Sequence, residues 1–416
     1  MFLRVLIFFT VITLLELYFL QAVKTFVQDY TGNKRAIILW AAYFFAALSI
    51  VVGMVGLFYP PIEWNNFFRF ISSVVLILAI CKLFGIVFLL MDDIVRLFRW
   101  IISLFASKKE VISGEELSTV ISRLKFFSQL AITFTVIPAV SFLYGMVSGA
   151  YKYRVHKAKV TSPNLPASFE GFKIVQISDI HCGSFLNNNA LIKAFEIVQQ
   201  QKPDIILFTG DLVNNFAYET NDYLAEYKSL NAPYGVYSVL GNHDYGDYSQ
   251  WESEEAKKAN LEALKKVHAD SGWRLLMNEH VPLEKNGEKI ALLGIENWGG
   301  SHRFPKYGKM EDAYKGAENY PFKILMSHDP SHWDIQVRKD YPSIDLTLSG
   351  HTHGMQFGIE IPGLKWSPIQ YLYKQWAGLY KQDNQYLYVN RGLGFLGYPG
   401  RLGIWPEITV IELNKV

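Results

Sequence analysis

Apolar residues are spread unevenly along the chain. Four runs, about Val5–Val23, Ala36–Tyr59, Phe70–Met91 and Phe126–Ala150, are each long enough to cross a bilayer, which takes roughly 20 residues. They predict an α-helical membrane domain over residues 1–150. The first run is too rich in large side chains, and lacks a small-residue cleavage site, to be a removable signal peptide. Between the third and fourth runs, "DDIVRLFRWIISLFASKK" alternates Arg96, Arg99, Lys108 and Lys109 with apolar residues. That pattern predicts an amphipathic segment near residues 95–110 lying at the membrane surface, with a short buried helix as the alternative. Glu16 and Lys82 interrupt the first and third runs at similar depth. A charge in hydrocarbon costs on the order of 3 kcal/mol or more, so each needs a partner or a route to water. An ion pair between them is one solution and separate snorkelling is the other.

The pattern changes after Ala150. Residues 151–171 read as a linker. From Phe172 to Val416, short β-branched runs alternate with helical stretches, as in a layered α/β domain. Five of the apolar runs end in residues able to bind metal. "FKIVQISDIH" ends in Asp179 and His181, and "PDIILFTGDL" reaches Gly210 and Asp211. "YGVYSVLGNHD" ends in Gly241, Asn242, His243 and Asp244, "FKILMSHDP" carries His328, and "IDLTLSGHTHG" carries His351 and His353. In open α/β sheets, the loops at the carboxyl ends of the strands gather along one edge, where ligands bind.

A net charge of +2 over 416 residues points away from nucleic acid as a partner. The two cysteines, Cys81 and Cys182, make no disulfide framework. Of the ten histidines, His156, His268, His280, His302 and His332 read as ordinary core or surface residues. The other five all sit at strand ends beside Asp or Asn. Imidazole and carboxylate without thiolate favours divalent ions such as Mn, Fe, Zn or Co and does not choose among them.

The order Asp-x-His, Gly-Asp, Gly-Asn-His-Asp, His, Gly-His-x-His resembles the calcineurin-like metallophosphoesterase superfamily over about residues 170–416. The tail "YVNRGLGFLGYPGRLGIWPEITVIEL" is similar to that of its membrane-anchored, bacterial-type phosphodiesterase branch. That branch usually carries Gly-His-Thr-His-Gly-Gly-Gln, and Met355 replaces the penultimate glycine here without loss of a ligand.

The resemblance implies an α/β fold, a four-layer αββα sandwich, behind the four-span bundle. It also implies two divalent metal ions. Asp179, His181 and His353 would hold one, Asn242, His328 and His351 the other, and Asp211 would bridge both. A water shared by the two ions would be acidified to hydroxide and attack the phosphorus. His243 would contact the phosphate and protonate the leaving oxygen. Asp244 would either orient His243 or cap the following turn. Asn214, Asn215, Arg391 and Arg401 are weaker candidates for lining the pocket or holding a phosphate.

The implied activity is that of a membrane-anchored hydrolase of phosphate mono- or diesters. A catalytic domain starting so soon after a span directs attention to phospholipids or lipid-linked phosphates as substrate. A cell-wall or small-molecule phosphodiesterase, or a metal-binding sensor module without catalysis, are the alternatives. The aromatic run Leu364 to Tyr380 could face the bilayer or pack within a sheet. Basic residues divide nine to six between the two sets of loops. By the positive-inside rule this places both termini, and the catalytic domain, outside the cytoplasm of a bacterial cytoplasmic membrane. The cluster Lys152, Arg154, Lys157 and Lys159 after the fourth span pulls the other way.

Overall fold

The computed structural model describes residues 2–58, 66–105, 114–185, 188–301 and 304–416, without the side chains of 2–6, 8, 56–58, 66–67 and 114–122. The chain divides into two compact units, Met1–Tyr144 and Gly145–Val416.

The first unit contains helices α1 (Phe2–Phe26), α2 (Asn33–Phe58), α3 (Asn66–Phe105) and most of α4 (Gly114–Val147). All four are long and apolar enough to cross a membrane, over Phe9–Phe26, Asn33–Val55, Phe68–Phe105 and Arg123–Tyr151. Large side chains such as Ile37, Trp40, Phe44 and Leu76 point outward, as hydrocarbon-facing helices require. Lys82 donates to Glu16 Oε2 at 2.6 Å, and both side chains are largely buried. Of the two arrangements the sequence allows, the pair is the one that forms. Asp92 is also buried and meets Arg96 and, at 3.1 Å, Arg123.

Of the amphipathic segment expected near 95–110, residues 95–105 are helical but are not separate from the third span. Residues 92–105 continue α3 without a break, and Lys108 and Lys109 lie outside the described residues. The reason is local: from Ile86 to Phe105 there is no glycine or proline to end the helix. At 1.5 Å per residue, α3 is about 60 Å long, roughly twice the thickness of the hydrocarbon core.

The second unit is built on two six-stranded sheets. One has the order β1 (Arg154–Ser162), β14 (Glu407–Lys415), β2 (Lys173–Ile177), β3 (Ile205–Phe208), β4 (Val236–Ser238), β5 (Trp273–Leu275). The other has the order β12 (Gly378–Gln382), β13 (Gln385–Val389), β9 (Leu346–Ser349), β8 (Lys323–Met326), β7 (Glu288–Gly294), β6 (Glu279–Lys285). Strands β2 to β5 are mutually parallel, as are β7, β8, β9 and β13. The two sheets face each other across a core in which Ile174, Ile205 and Leu207 of one meet Leu292, Ile324 and Leu346 of the other. Alternate residues turn to the outer faces. Val175, Ile206 and Phe208 pack beneath α5 (Asn189–Gln200) and α7 (Glu254–Asp270). Ala291, Leu293 and Leu325 pack beneath α8 (Met310–Tyr314) and the helical turns around Trp333 and Val337. The layers are thus αββα, with strands buried on both faces and correspondingly continuous in hydrophobicity.

Residues 151–171, expected as a linker, are instead part of this unit. β1 pairs in parallel with β14 from Arg154↔Glu407 to Ser162↔Lys415. It is an edge strand whose lysines give it the polar look of a connector, a usual way of protecting a sheet edge.

Candidate metal centre

The carboxyl ends of β2, β3 and β4 from one sheet and of β8 and β9 from the other deliver the site. Asp179 and His181 follow β2, Asp211 follows β3, Asn242 and His243 follow β4, His328 follows β8, and His351 and His353 follow β9. Five of these residues hold left-handed backbone: Asp179 (φ 50°), His181 (46°), Asp211 (60°), His351 (71°) and His353 (50°). Each costs roughly 1–2 kcal/mol for a residue bearing a Cβ, and such strain persists only where the surroundings enforce it. Close packing is part of that enforcement. A Cβ on Gly350 would lie 2.0 Å from Ser178 Oγ and 2.2 Å from Asp179 Oδ2, so only glycine lets the β9 loop reach the β2 loop.

Ligand-type atoms converge in two groups, Asp179–His181–His353 and Asp211–His328–His351, with the atoms of each within 4.8 Å of one another. In the first, His181 Nε2 lies 3.1 Å from His353 Nε2, and His353 Nε2 lies 3.3 Å from Asp179 Oδ1. In the second, His328 Nε2 lies 3.1 Å from Asp211 Oδ2, and the same oxygen is 3.5 Å from His181 Nε2. Asp211 therefore stands between the groups. Asn242 joins the second, its Oδ1 2.8 Å from His351 Nδ1 while its amide nitrogen donates to Tyr248.

The rings are held with one nitrogen turned inward. His181 Nδ1 meets Val213 O at 3.1 Å and His328 Nδ1 meets Thr209 O at 2.7 Å. Each carbonyl takes the Nδ1 proton and leaves Nε2 as the lone-pair atom facing the site, the usual support for a metal-binding histidine. His351 is turned the other way, with Nε2 2.8 Å from Tyr373 Oη. Burial drives His181 down to about 3 and lowers His351 and His353, keeping these imidazoles neutral as ligation requires. Burial also pushes His328 down, but the Asp211 carboxylate outweighs it and holds the ring up to about 10. For His328 to hold a divalent ion, that proton would have to leave. His328 Nε2 is completely buried and makes no well-aligned hydrogen bond, facing the Asp211 carboxylate at 3.1 Å. A buried imidazole nitrogen and a carboxylate turned toward the same space, among further amide and imidazole donors, fit a divalent cation.

His243 is in neither group. Its Nδ1 meets Asn214 O at 2.8 Å, its backbone N–H donates to Asp211 Oδ1, and its ring packs at 4.7 Å on Tyr248. Asp244 does not orient that ring. Its carboxylate accepts the backbone N–H groups of Asp211, Leu212, Val213 and Gly241, bracing the loops that carry Asp211 and Asn242. Nor are Arg391 and Arg401 placed for a phosphate. Arg391 is buried between Glu407 and Glu360. Arg401 is fully buried and spends its donors on the carbonyls of Arg391, Gly392, His353 and Gly394. Cys182 is buried outside both groups, its thiol on Glu219 O. His268, His280 and His332 also lie elsewhere, and His302 lies outside the described residues. Sequence reasoning missed Tyr373, which sits inside an aromatic run, and the carbonyls that set the ring tautomers, which leave no mark on residue type.

Residues 172–355 match the family model for the calcineurin-like phosphoesterase, and residues 3–150 match one described as a probable calcineurin-like phosphoesterase transmembrane domain. The chain is 32% identical over 261 residues to the uncharacterized metallophosphoesterase YkuE of Bacillus subtilis, covering 62% of this chain and 84% of that one. This chain belongs to the calcineurin-like metallophosphoesterase family. It is 30% identical over 274 residues to the UDP-2,3-diacylglucosamine pyrophosphatase LpxG of Chlamydia muridarum, covering 56% of this chain and 80% of that one. It is 29% identical over 287 residues to a transmembrane protein with metallophosphoesterase domain of Danio rerio, covering 67% and 62% respectively. This metallophosphoesterase is a metal-dependent phosphoric ester hydrolase and an integral membrane protein.

Proposed function

We propose that this enzyme hydrolyses a phosphate ester of a membrane-associated molecule, a phospholipid or a lipid-linked phosphate, using two divalent ions. The observation that carries the two-ion reading is the position of Asp211 Oδ2, within 3.5 Å of His181 and 3.1 Å of His328, between the two ligand groups. Asp179, His181 and His353 would hold one ion, Asn242, His328 and His351 the second, and Asp211 both. Bound there, such ions supply Lewis acidity toward phosphoryl oxygens and lower the pKa of water. The chain's own residues do the rest. The Asn214 carbonyl holds the Nδ1–H of His243 and leaves Nε2 to carry a proton to the departing oxygen. Asp244 keeps the Asp211 loop in its strained conformation. The lipid reading is supported by the membrane-spanning domain in the same chain and by a relative named for cleaving UDP-2,3-diacylglucosamine. The loop charges favour an extracytoplasmic site in a bacterial cytoplasmic membrane.

The test compares lipid extracts before and after incubation with the reconstituted, Mn²⁺-loaded chain and its Asp211→Asn variant, with bis-p-nitrophenyl phosphate as a soluble reporter. We expect the wild type to cleave the reporter and deplete at least one phospholipid species, and Asp211→Asn to do neither. Reporter cleavage with an unchanged extract would sink the lipid reading. Full activity in Asp211→Asn would sink the shared-carboxylate assignment.

A further inference from the structure

A two-stranded ribbon beside the metal centre has its polarity reversed. Strands β10 (Ile359–Ile361) and β11 (Leu364–Trp366) pair antiparallel as Ile359↔Trp366, Glu360↔Lys365 and Ile361↔Leu364, joined by Pro362 and Gly363. Directly opposed residues, and those two apart along a strand, share a face. Ile359, Ile361, Leu364 and Trp366 therefore lie on one face, Glu360 and Lys365 on the other. On a water-washed ribbon the charged face points out. Here its charged tips turn in: Glu360 accepts from Arg391 at 2.5 Å, and Lys365, though its stem is exposed, donates to Ala377 O over the Trp376 ring. The apolar face is open, with Ile359 46%, Ile361 58% and Leu364 48% exposed. The following turn extends the patch with Tyr371 at 75% and Leu372 at 77%. A contiguous exposed apolar surface of this kind marks an interaction site.

Two connections say what covers it. Gly358, the residue before β10, donates its N–H to Leu402 O at 2.9 Å, and the adjacent Arg401 donates to Gly145 O at 3.1 Å. Gly145 lies within the fourth candidate span, Arg123–Tyr151. The ribbon is thus tied through two backbone hydrogen bonds to a residue of a membrane helix. In the other direction, Tyr373 follows the exposed Tyr371–Leu372 pair and reaches His351 Nε2 at 2.8 Å. We infer that the β10–β11 ribbon and the Tyr371–Leu372 turn insert into the lipid interface and hold the metal centre at headgroup depth. The tyrosine and tryptophan suit the boundary between acyl chains and water, and the aliphatic side chains suit the layer beneath. The inference depends on the spans and not on which ester is cleaved.

The full chain carrying Ile361→Cys, labelled with an environment-sensitive fluorophore, tests it in phosphatidylcholine–phosphatidylglycerol vesicles. The native Cys81 and Cys182 are buried. Asp383→Cys, in the exposed turn between β12 and β13, serves as the aqueous control. Leu372→Cys is a second reporter, in case one site is disturbed by its label, and reporter-ester hydrolysis verifies the fold of each variant. Phospholipid brominated near the top of the acyl chains should remove about half the emission at residues 361 and 372 and little at 383, because interfacial elements bury roughly 5–10 Å into the boundary. Aqueous iodide should do the reverse. Iodide quenching at 361 and 372 equal to that at 383 would mean an open, solvated face and overturn the inference. Shielding from both quenchers would mean that protein, such as a second copy of the chain, covers the patch, and would overturn it equally.

Discussion

At Asp244 four backbone amides converge on one carboxylate, while the neighbouring His243 ring turns away to the Asn214 carbonyl. Adjacent residues therefore have separable effects. In Asp244→Asn, the amide nitrogen faces two of those N–H groups instead of accepting them, at about 1–3 kcal/mol for each buried donor left unpaired. We expect a lower melting temperature, weaker metal retention and parallel losses on all substrates. His243→Ala should keep the metal and the melting temperature. It should lose roughly 10²–10⁴-fold on alkyl phosphates and far less on p-nitrophenyl esters, whose leaving group needs little protonation. Equal losses on both ester types would remove His243 from the acid role. The motif residues were legible one by one because metal chemistry restricts them to His, Asp and Asn at strand ends. The division of labour between His243 and Asp244 was not legible, because any residue can supply a backbone amide or carbonyl.

At the scale of elements, the last turn of α4 and the short helical turn after it bear on the site. Gly145 and Gly149 lie against the loop Tyr398–Arg401. A Cβ at Gly149 would stand 2.1 Å from Arg401 O, and one at Gly145 would stand 2.9 Å from it. Arg401 in turn holds the carbonyls of Gly392 and Gly394 and lies 3.3 Å from His353 Nδ1. Overpacking of this kind typically costs about 1–3 kcal/mol. Gly149→Ala should lower the melting temperature and reduce metal content at the His353 group more than at the His328 group. Differential scanning fluorimetry and metal analysis would check this, and wild-type values in both would show that the loop has room to move. Two elements escaped the sequence reading for opposite reasons. β1 was hidden by its edge lysines, and α3 ran on because charged residues alone do not break a helix.

For the whole molecule, the testable property is which side of the membrane the catalytic unit faces. In the proposed function, the nine-to-six division of basic loop residues is the ground for putting it outside the cytoplasm. One of the outnumbering set, Arg96, is paired with Asp92 in the continuous α3 helix. Arg123 meets the same carboxylate. Acidic partners change the charge balance of those segments but contribute little to the positive-inside rule, so these pairs leave the proposed orientation unchanged. A periplasm-dependent phosphatase fused after Val416 should be active and a cytoplasm-only fluorophore dark. The reverse pattern would invert the topology and turn the search for substrate to the inner leaflet.

The sequence by itself determined the class of the chain. A run of about 20 apolar residues has few places to go other than a bilayer, and five strand-end clusters of His, Asp and Asn have few uses other than a metal. It also set Glu16 and Lys82 at matching depth, though whether they met was a matter of packing. Tertiary structure alone decided that Arg391 and Arg401 are internal struts, that Tyr373 supports His351, and that the β10–β11 ribbon wears its apolar face outward. Each of these depends on what lies across a gap from the residue. A side chain's type limits the contacts it can make, and only the fold brings one of them within reach.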